Sequence, residues 1–234
     1  AFARANKPHP AFYAAMGDQV VAFKHLEEFK PQALANTVWA YATSGINHPN
    51  LFRIVANHIV GLDSLDKFDP QELSNTMWAY AKAGISHPKL FQKVANHIVG
   101  LENLDRFNSQ NLKDTVWAYA TAGIYHPKLF DKVANHIVGL DNLDRFKSQE
   151  LSITVWAYAT AQVSHPKLFQ NISKAAMQRK EDFDSQHVAN LLWAYATMGI
   201  ADKQLFSSFA PTSAKLIDSQ QSTSCQHCMG VCCS

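Results

Sequence analysis

Three sets of residues have types and spacings that bear on chemistry. The first is histidine, of which the chain has 11. His48, His87, His126 and His165 each precede a proline, His58, His97 and His136 each follow an asparagine, and both ladders advance by 39 residues. Metal ligands converge on one ion, whereas a ladder sets each imidazole one step further along, so these read as turn and helix devices. The second set is four cysteines, Cys225, Cys228, Cys232 and Cys233. Cys225 and Cys228 have CxxC spacing, but three residues separate them from the next pair, and a zinc ribbon needs a loop of about a dozen or more. Adventitious metal binding, or a tail that is not native coding sequence, accounts for them. No Ser/His/Asp triad, phosphate loop or carboxylate dyad recurs as a site. The expectation is a protein that is not an enzyme, with no cofactor and no metal.

The third set is polar and varies in step with the same period. One position reads Asn36, Asn75, Asp114, Ile153 and Asn190; one turn earlier stand Ala33, Glu72, Asn111, Glu150 and His187; later come Thr43, Lys82, Thr121, Thr160 and Thr197. Asn offers both a donor and an acceptor, whereas Asp only accepts. A polar stripe that changes from unit to unit beside near-invariant packing suits a modular reader, and drift on a solvated face gives the same pattern.

These residues are positioned by a repeat. Trp39, Trp78, Trp117, Trp156 and Trp193 are spaced by 39, 39, 39 and 37 residues, and each opens the string Trp-Ala-Tyr-Ala. His-Pro follows nine residues after each of the first four. Counted back from His9-Pro10, Ala1-Phe2-Ala3 takes the place of Ala-Tyr-Ala. That register predicts an N-terminally truncated array, with any targeting peptide outside the sequence.

Each unit reads as two helices. In the second full unit helix A is predicted from about Pro70 to Ile85, with Asp69 as N-cap, Glu72 completing a capping box and Gly84 near the stop. Pro31, Ser109, Ser148 and Ser185 repeat the start signal, and Gly45, Gly123 and Gly199 repeat the stop. Helix B starts at Pro88 and carries Leu90, Phe91, Val94, Ala95, Ile98 and Leu101 at three- and four-residue spacing. Gly61, Gly100 and Gly139 end or bend it, and Leu104 and Phe107 pin the connection to the next unit. The fourth B helix, in the stretch Gln170 to Asp182, is expected to run without a glycine break. A helix pair cannot bury its own apolar stripe, so the pairs stack. The fold class is all-α, an α-solenoid of about five 37–39-residue helix-pair repeats preceded by a partial repeat, about eleven helices in all.

On a wheel with Leu73 at zero, Gly84, Met77, Ala81, Ile85 and Trp78 fall between about 20° and 140° and form the packed face. Lys82, Asn75, Ala79, Glu72, Ala83 and Thr76 then form the exposed stripe. Trp thus reads as a core wedge rather than a base-stacking platform. Tyr41, Tyr80, Tyr119, Tyr158 and Tyr195 read as structural. Ala40, Ala79, Ala118, Ala157 and Ala194 would let a ligand approach the backbone.

Composition sets limits. Lys+Arg is 21 and Asp+Glu 19, a net charge of +2, which excludes a strongly basic module held mainly by phosphate neutralisation, and equally an acidic tail or calcium buffer. Hydrophobic residues make up 47% and charged residues 17%, which favours a sizeable core over disorder. No apolar run approaches the roughly 18–20 residues that span a bilayer.

The motif Leu73-Ser74-Asn75-Thr76-Met77-Trp78-Ala79-Tyr80-Ala81 with His87-Pro88-Lys89-Leu90-Phe91 resembles the octotricopeptide repeats of algal and protist organelle proteins. It is also similar to the helical repeats of FAST-kinase-domain and RAP-domain proteins and of a trypanosomatid RNA-editing substrate-binding subunit. The resemblance covers about residues 1–210 and implies an algal or protist fragment that binds single-stranded RNA. It further implies a role in organellar RNA processing, stability or translation, in the mitochondrial matrix or the chloroplast, with other RNA-processing proteins as partners and no membrane. Ile153, Gln162 and Ala201-Asp202-Lys203 depart from the repeat pattern. On this reading residues 1–217 form the RNA-binding domain and 218–234 a disordered Cys-containing tail. Bases would meet Asn36, Asn75, Asp114 and Asn190, phosphates would lie near Lys82 and Lys113, and Thr43, Glu72, Asn111 and Thr121 would complete the groove. A scaffold holding an extended peptide in the same groove is the alternative, and the near-zero net charge favours it.

Overall fold

The computed structural model describes residues 9–23 and 26–210. The expected Cys-containing tail, 218–234, and Ala1-Phe2-Ala3 lie outside the described residues. Regular structure among the described residues is entirely helical: α1 (Pro10–Ala22), α2 (Pro31–Ser44), α3 (Pro49–Gly61), α4 (Pro70–Lys82), α5 (Pro88–Gly100), α6 (Ser109–Thr121), α7 (Pro127–Val138), α8 (Ser148–Thr160), α9 (Pro166–Gln178), α10 (Ser185–Thr197) and α11 (203–210). Short 3₁₀ turns occupy Leu26–Glu28 and Lys180–Asp182. The even-numbered helices are A helices and the odd-numbered ones B helices, the solenoid arrangement the repeat predicts. None of the described helices is long and apolar enough to cross a membrane. The chain divides into two compact units between Gly139 and Leu140.

In the first unit α2, α4 and α6 stack as one layer, and α1, α3, α5 and α7 as a second. The B layer forms where the sequence puts His before Pro. A pre-proline residue is held out of the helical region, and His48, His87 and His126 sit near φ −140°, ψ 80°. That turns each imidazole over the first turn, where Nδ1 accepts from the N–H of Leu51, Leu90 and Leu129, each at 3.2 Å. An accepting Nδ1 leaves the proton on Nε2. The Nε2 of His87 then reaches Asn57 Oδ1 at 3.3 Å, and that of His126 reaches Asn96 Oδ1 at 3.4 Å. Leu90, Phe91, Val94, Ala95 and Ile98 are all buried, as are Leu104 and Phe107 in the connection that follows.

The A helices start and stop as their termini dictate. In α4 Asp69 Oδ1 accepts from Glu72 N at 2.7 Å while Glu72 Oε2 accepts from Asp69 N at 2.9 Å. Its end falls at Lys82 rather than at Ile85. Gly84 adopts φ +67°, and the N–H of Ile85 returns to the Tyr80 carbonyl at 3.0 Å, which closes the last turn early. The tyrosines bridge the layers. Tyr41, Tyr80 and Tyr119 donate to the carbonyls of Tyr13, Phe52 and Phe91 at 2.5, 2.6 and 2.6 Å. Burial pushes the Tyr80 and Tyr119 hydroxyls far above their ordinary range, so they remain donors.

In the second unit α8 packs against α10 and against its own B helix α9. Tyr195 donates to the Phe169 carbonyl at 2.5 Å, and His165 caps α9 through Leu168 N at 3.2 Å. Helix α9 does not run on, as its missing glycine had suggested. It ends at Gln178 like the other B helices, and Arg179 turns away to donate to the carbonyls of Leu143, Asp144 and Phe146 at 3.2, 3.3 and 2.9 Å.

The wheel placed Leu73, Met77 and Ala81 on the packed side and Asn75 and Lys82 on the open side correctly, but it misplaced Thr76, Ala79 and Trp78. Leu73, Ser74, Thr76, Met77, Ala79, Tyr80 and Ala81 of α4 are all buried, an arc of about 220°. A helix flanked by α2 and α6 and backed by the B layer is covered on three sides, so small residues go inside with the large ones. Ala79 and Ala118 are buried and offer no opening to the backbone; Ala157 and Ala194 are buried in the second unit. Trp39, Trp78, Trp117 and Trp156 are only half-buried, and Trp193 is 46% exposed. The tryptophans are not core wedges.

Candidate nucleic-acid interface

The arc that stays open on α4 is narrow, about 60°. Gln71, Asn75, Trp78 and Lys82 occupy it at spacings of four, three and four residues, one face of a helix. In α2 the same positions hold Gln32, Asn36, Trp39 and Thr43, and in α6 Gln110, Asp114, Trp117 and Thr121. Three parallel helices therefore present a grid in the first unit: a rail of Gln, a rail of Asn and Asp, a rail of Trp, and a rail of Thr and Lys. A recess of about 450 Å³ lined by Glu28, Phe29, Lys30, Gln32, Ala33 and Asn36, among others, opens beside the first rung.

The indoles of the Trp rail touch one another. Ring centroids are 6.5 Å apart for Trp39 and Trp78 and 6.1 Å for Trp78 and Trp117, with the planes tilted by 32° and 30°. These distances fall in the range of favourable aromatic pairs. In the second unit Trp156 and Trp193 repeat the contact at 6.3 Å and 33°. There Gln149, Ile153, Trp156 and Thr160 make one rung, and Gln186, Asn190, Trp193 and Thr197 the other. Gln186 donates to Asn190 Oδ1 at 3.1 Å, which pre-orients that amide.

The residues expected to line the groove separate into two groups. Asn36, Thr43, Asn75, Lys82 and Thr121 lie together on the open stripe of the first unit, and Asn190 lies on that of the second. Glu72 and Asn111 do not. Both are third residues of their helices and close capping boxes, Asn111 through Asn108 N at 3.2 Å, and Asn111 Nδ2 also donates to Ser74 Oγ at 3.2 Å. Burial raises the Glu72 carboxyl above its ordinary range, against the Asp69 N–H that favours the charged form. Asp114 is on the stripe but buried, and Lys113 turns its ammonium onto that carboxylate, so the two charges cancel. Trp39, Trp78, Trp117, Trp156 and Trp193 and the five glutamines had not been picked as site residues. The glutamines carried a signal: Gln is the polar residue that stands unchanged at this register of every A helix.

What this surface can do follows from its groups. Amides pair with base edges or with peptide amides through a donor and an acceptor, and the partly exposed indoles offer apolar surface to a flat ring. Nothing in it is arranged as nucleophile and base. No curated protein matches the chain. The profile of the RNA-editing substrate-binding complex 6 protein family matches residues 1–231. Nearly the whole chain is covered, and the protein belongs to the RNA-editing substrate-binding complex 6 protein family.

Proposed function

We propose that this protein binds single-stranded RNA along the open stripes of its A helices, without catalysis, as a component of organellar RNA editing or processing. The observation that carries the reading is the Trp rail at a step of 6.1–6.5 Å in the first unit. Stacked bases in a duplex rise by only about 3.4 Å. A strand that matches one base to one rung must unstack its bases, and each then has a face free for an indole. Family membership supports an RNA-editing setting, in the printed sense of an RNA-editing substrate-binding complex. The similarity to octotricopeptide and FAST-kinase-domain proteins supports the mitochondrial matrix or the chloroplast as the compartment.

All 5 tryptophans lie on these stripes, so tryptophan emission reports on the stripes. Titration with a 12-nucleotide single strand should quench it, and a duplex of the same length should not. Trp78→Ala should weaken binding by about 5- to 150-fold, since base–aromatic stacking contributes about 1–3 kcal/mol per base. The absence of binding at low micromolar RNA and low salt would sink this reading. An extended peptide is the second occupant to test. The stripe of the first unit holds Lys82 as its single unpaired cation among amides, which suits peptide amides as well as bases. Quenching by unstructured polyamide chains but not by RNA would favour that occupant.

A further inference from the structure

We infer that a bound strand lies with its bases on the Trp rail and its phosphates turned to solvent, so that stacking rather than phosphate neutralisation carries the affinity. This rests on the RNA-binding reading above. The starting point is the set of cations on the first unit's stripe and on the B layer behind it.

On the first unit's stripe, Lys82 is the one cation facing solvent, because Lys113 is held by Asp114. Lys93 and Lys132 are spent elsewhere. Lys93 Nζ donates to the carbonyls of Val60, at 3.0 Å, and Leu62, and Lys132 Nζ to those of Leu101 and Glu102, the latter at 3.2 Å. Each sews its B helix to the end of the one before. Lys89 and Lys128 are exposed, but on the wrong layer. With Leu90 at zero, the buried residues of α5 span about 0–140° and Lys89 stands at about 260°. It faces outward from the B layer, where with Gln92, Lys93 and Asn96 it lines a recess of about 540 Å³. Before the A helices of the first unit the connections mix signs, Glu27 and Glu28 with Lys30, Asp63, Asp66 and Asp69 with Lys67, and Glu102 and Asp105 with Arg106, and none of them offers a phosphate chain a net positive charge. The second unit's stripe has no cation at all among Gln149, Ile153, Trp156, Thr160, Gln186, Asn190, Trp193 and Thr197. Phosphates brought against these stripes would lose water and gain almost no counter-charge. Bases brought against them gain indole surface and amide partners.

The test compares three end-labelled ligands by fluorescence anisotropy with the whole chain: a mixed-sequence 12-nucleotide RNA, the same backbone made abasic, and a peptide nucleic acid with the same bases. Log affinity falls by about 0.7 per decade of salt for each phosphate neutralised on a single strand. With Lys82 alone engaged, Kd for the RNA should rise less than about threefold between 50 and 200 mM salt. The abasic strand should bind at least about tenfold more weakly, and the peptide nucleic acid within about threefold of the RNA. Lys89→Glu with Lys128→Glu should change Kd less than about twofold. A rise in RNA Kd of tenfold or more over that salt range, with the abasic strand binding as well as the RNA, overturns the inference and leaves RNA binding standing. Failure of every RNA strand to bind overturns the RNA-binding reading and this inference together.

Discussion

The two units build the same repeat with different local parts. In the first, B helices are capped by His87 and His126, the A helices stop at Gly84 and Gly123 with φ near +66°, and Lys93 and Lys132 cover stray carbonyls. In the second, Asp202 replaces His as the cap of α11, accepting from Leu205 N at 3.0 Å, and Ser173 donates to its other oxygen at 2.5 Å. Gln162 takes the left-handed turn at φ +54° without being glycine. Arg179 covers three carbonyls from a different helix position than Lys93 does. What persists is the role: an acceptor over a helix start, a positive φ at a helix end, a cation over unsatisfied carbonyls. The backbone demands the role and leaves the residue open. The stripes differ in a way no substitute repairs, since Ile153 stands where Asn36 and Asn75 offer an amide.

That comparison can be broken first at the caps. Asp202→Ala should cost about 2–3 kcal/mol, because it removes both a cap and the partner of the buried Ser173 hydroxyl. His87→Ala should cost only about 1 kcal/mol. Urea unfolding of both variants, with amide exchange at Leu205 and Leu90, checks this; equal costs would mean that the Ser173 contact contributes nothing.

A smaller effect is expected at the helix stops. Gln162→Gly should raise stability by about 1 kcal/mol by relieving a left-handed conformation, and Gly84→Gln should lower it by about 1–2 kcal/mol. Two neutral substitutions would show that these turns do not limit either unit.

The smallest effect is a pH dependence confined to the first unit. Burial lowers the His97 and His136 imidazoles below their ordinary value, while Asp66 and Asp105, at 3.8 and 3.9 Å, pull them partly back. The unfolded chain therefore binds more protons than the folded one in that window. The contribution is present above about pH 6.5 and is lost as pH falls through the lowered values. Ala175 stands at the matching position of α9, so the second unit lacks this dependence. His97→Ala with His136→Ala should flatten the change in urea midpoint between pH 7.5 and 5; an unchanged slope would place the acid sensitivity elsewhere.

Much of this was legible in the sequence because its signals are local. Asp69 and Glu72 mark a helix start, Gly84 marks a stop, and His87-Pro88 marks the next start, each through groups within a few residues. The period made Asn36, Asn75, Lys82, Thr43 and Thr121 readable as a stripe, since polar side chains at one register seldom all go inside. The direction of the tryptophans was not legible. A wheel anchored on Leu73 assumes one buried face, whereas α4 is buried on three sides, and Ala79, Ser74 and Thr76 carry too little polarity or bulk to announce it. Glu72 and Asn111 were ambiguous because a third helical residue can turn back to its cap or outward.

The sequence by itself determined the period, the two-helix unit, the caps and the stops, because each depends on a backbone need met by a neighbour in the chain. Only the tertiary structure decided which arc of each A helix stays open. That arc depends on how many helices surround it, which no single repeat encodes. The same stacking brought five tryptophans, 37 or 39 residues apart, onto the open stripes, with each adjoining pair inside a unit in contact, and turned the lysines of the B layer away from them.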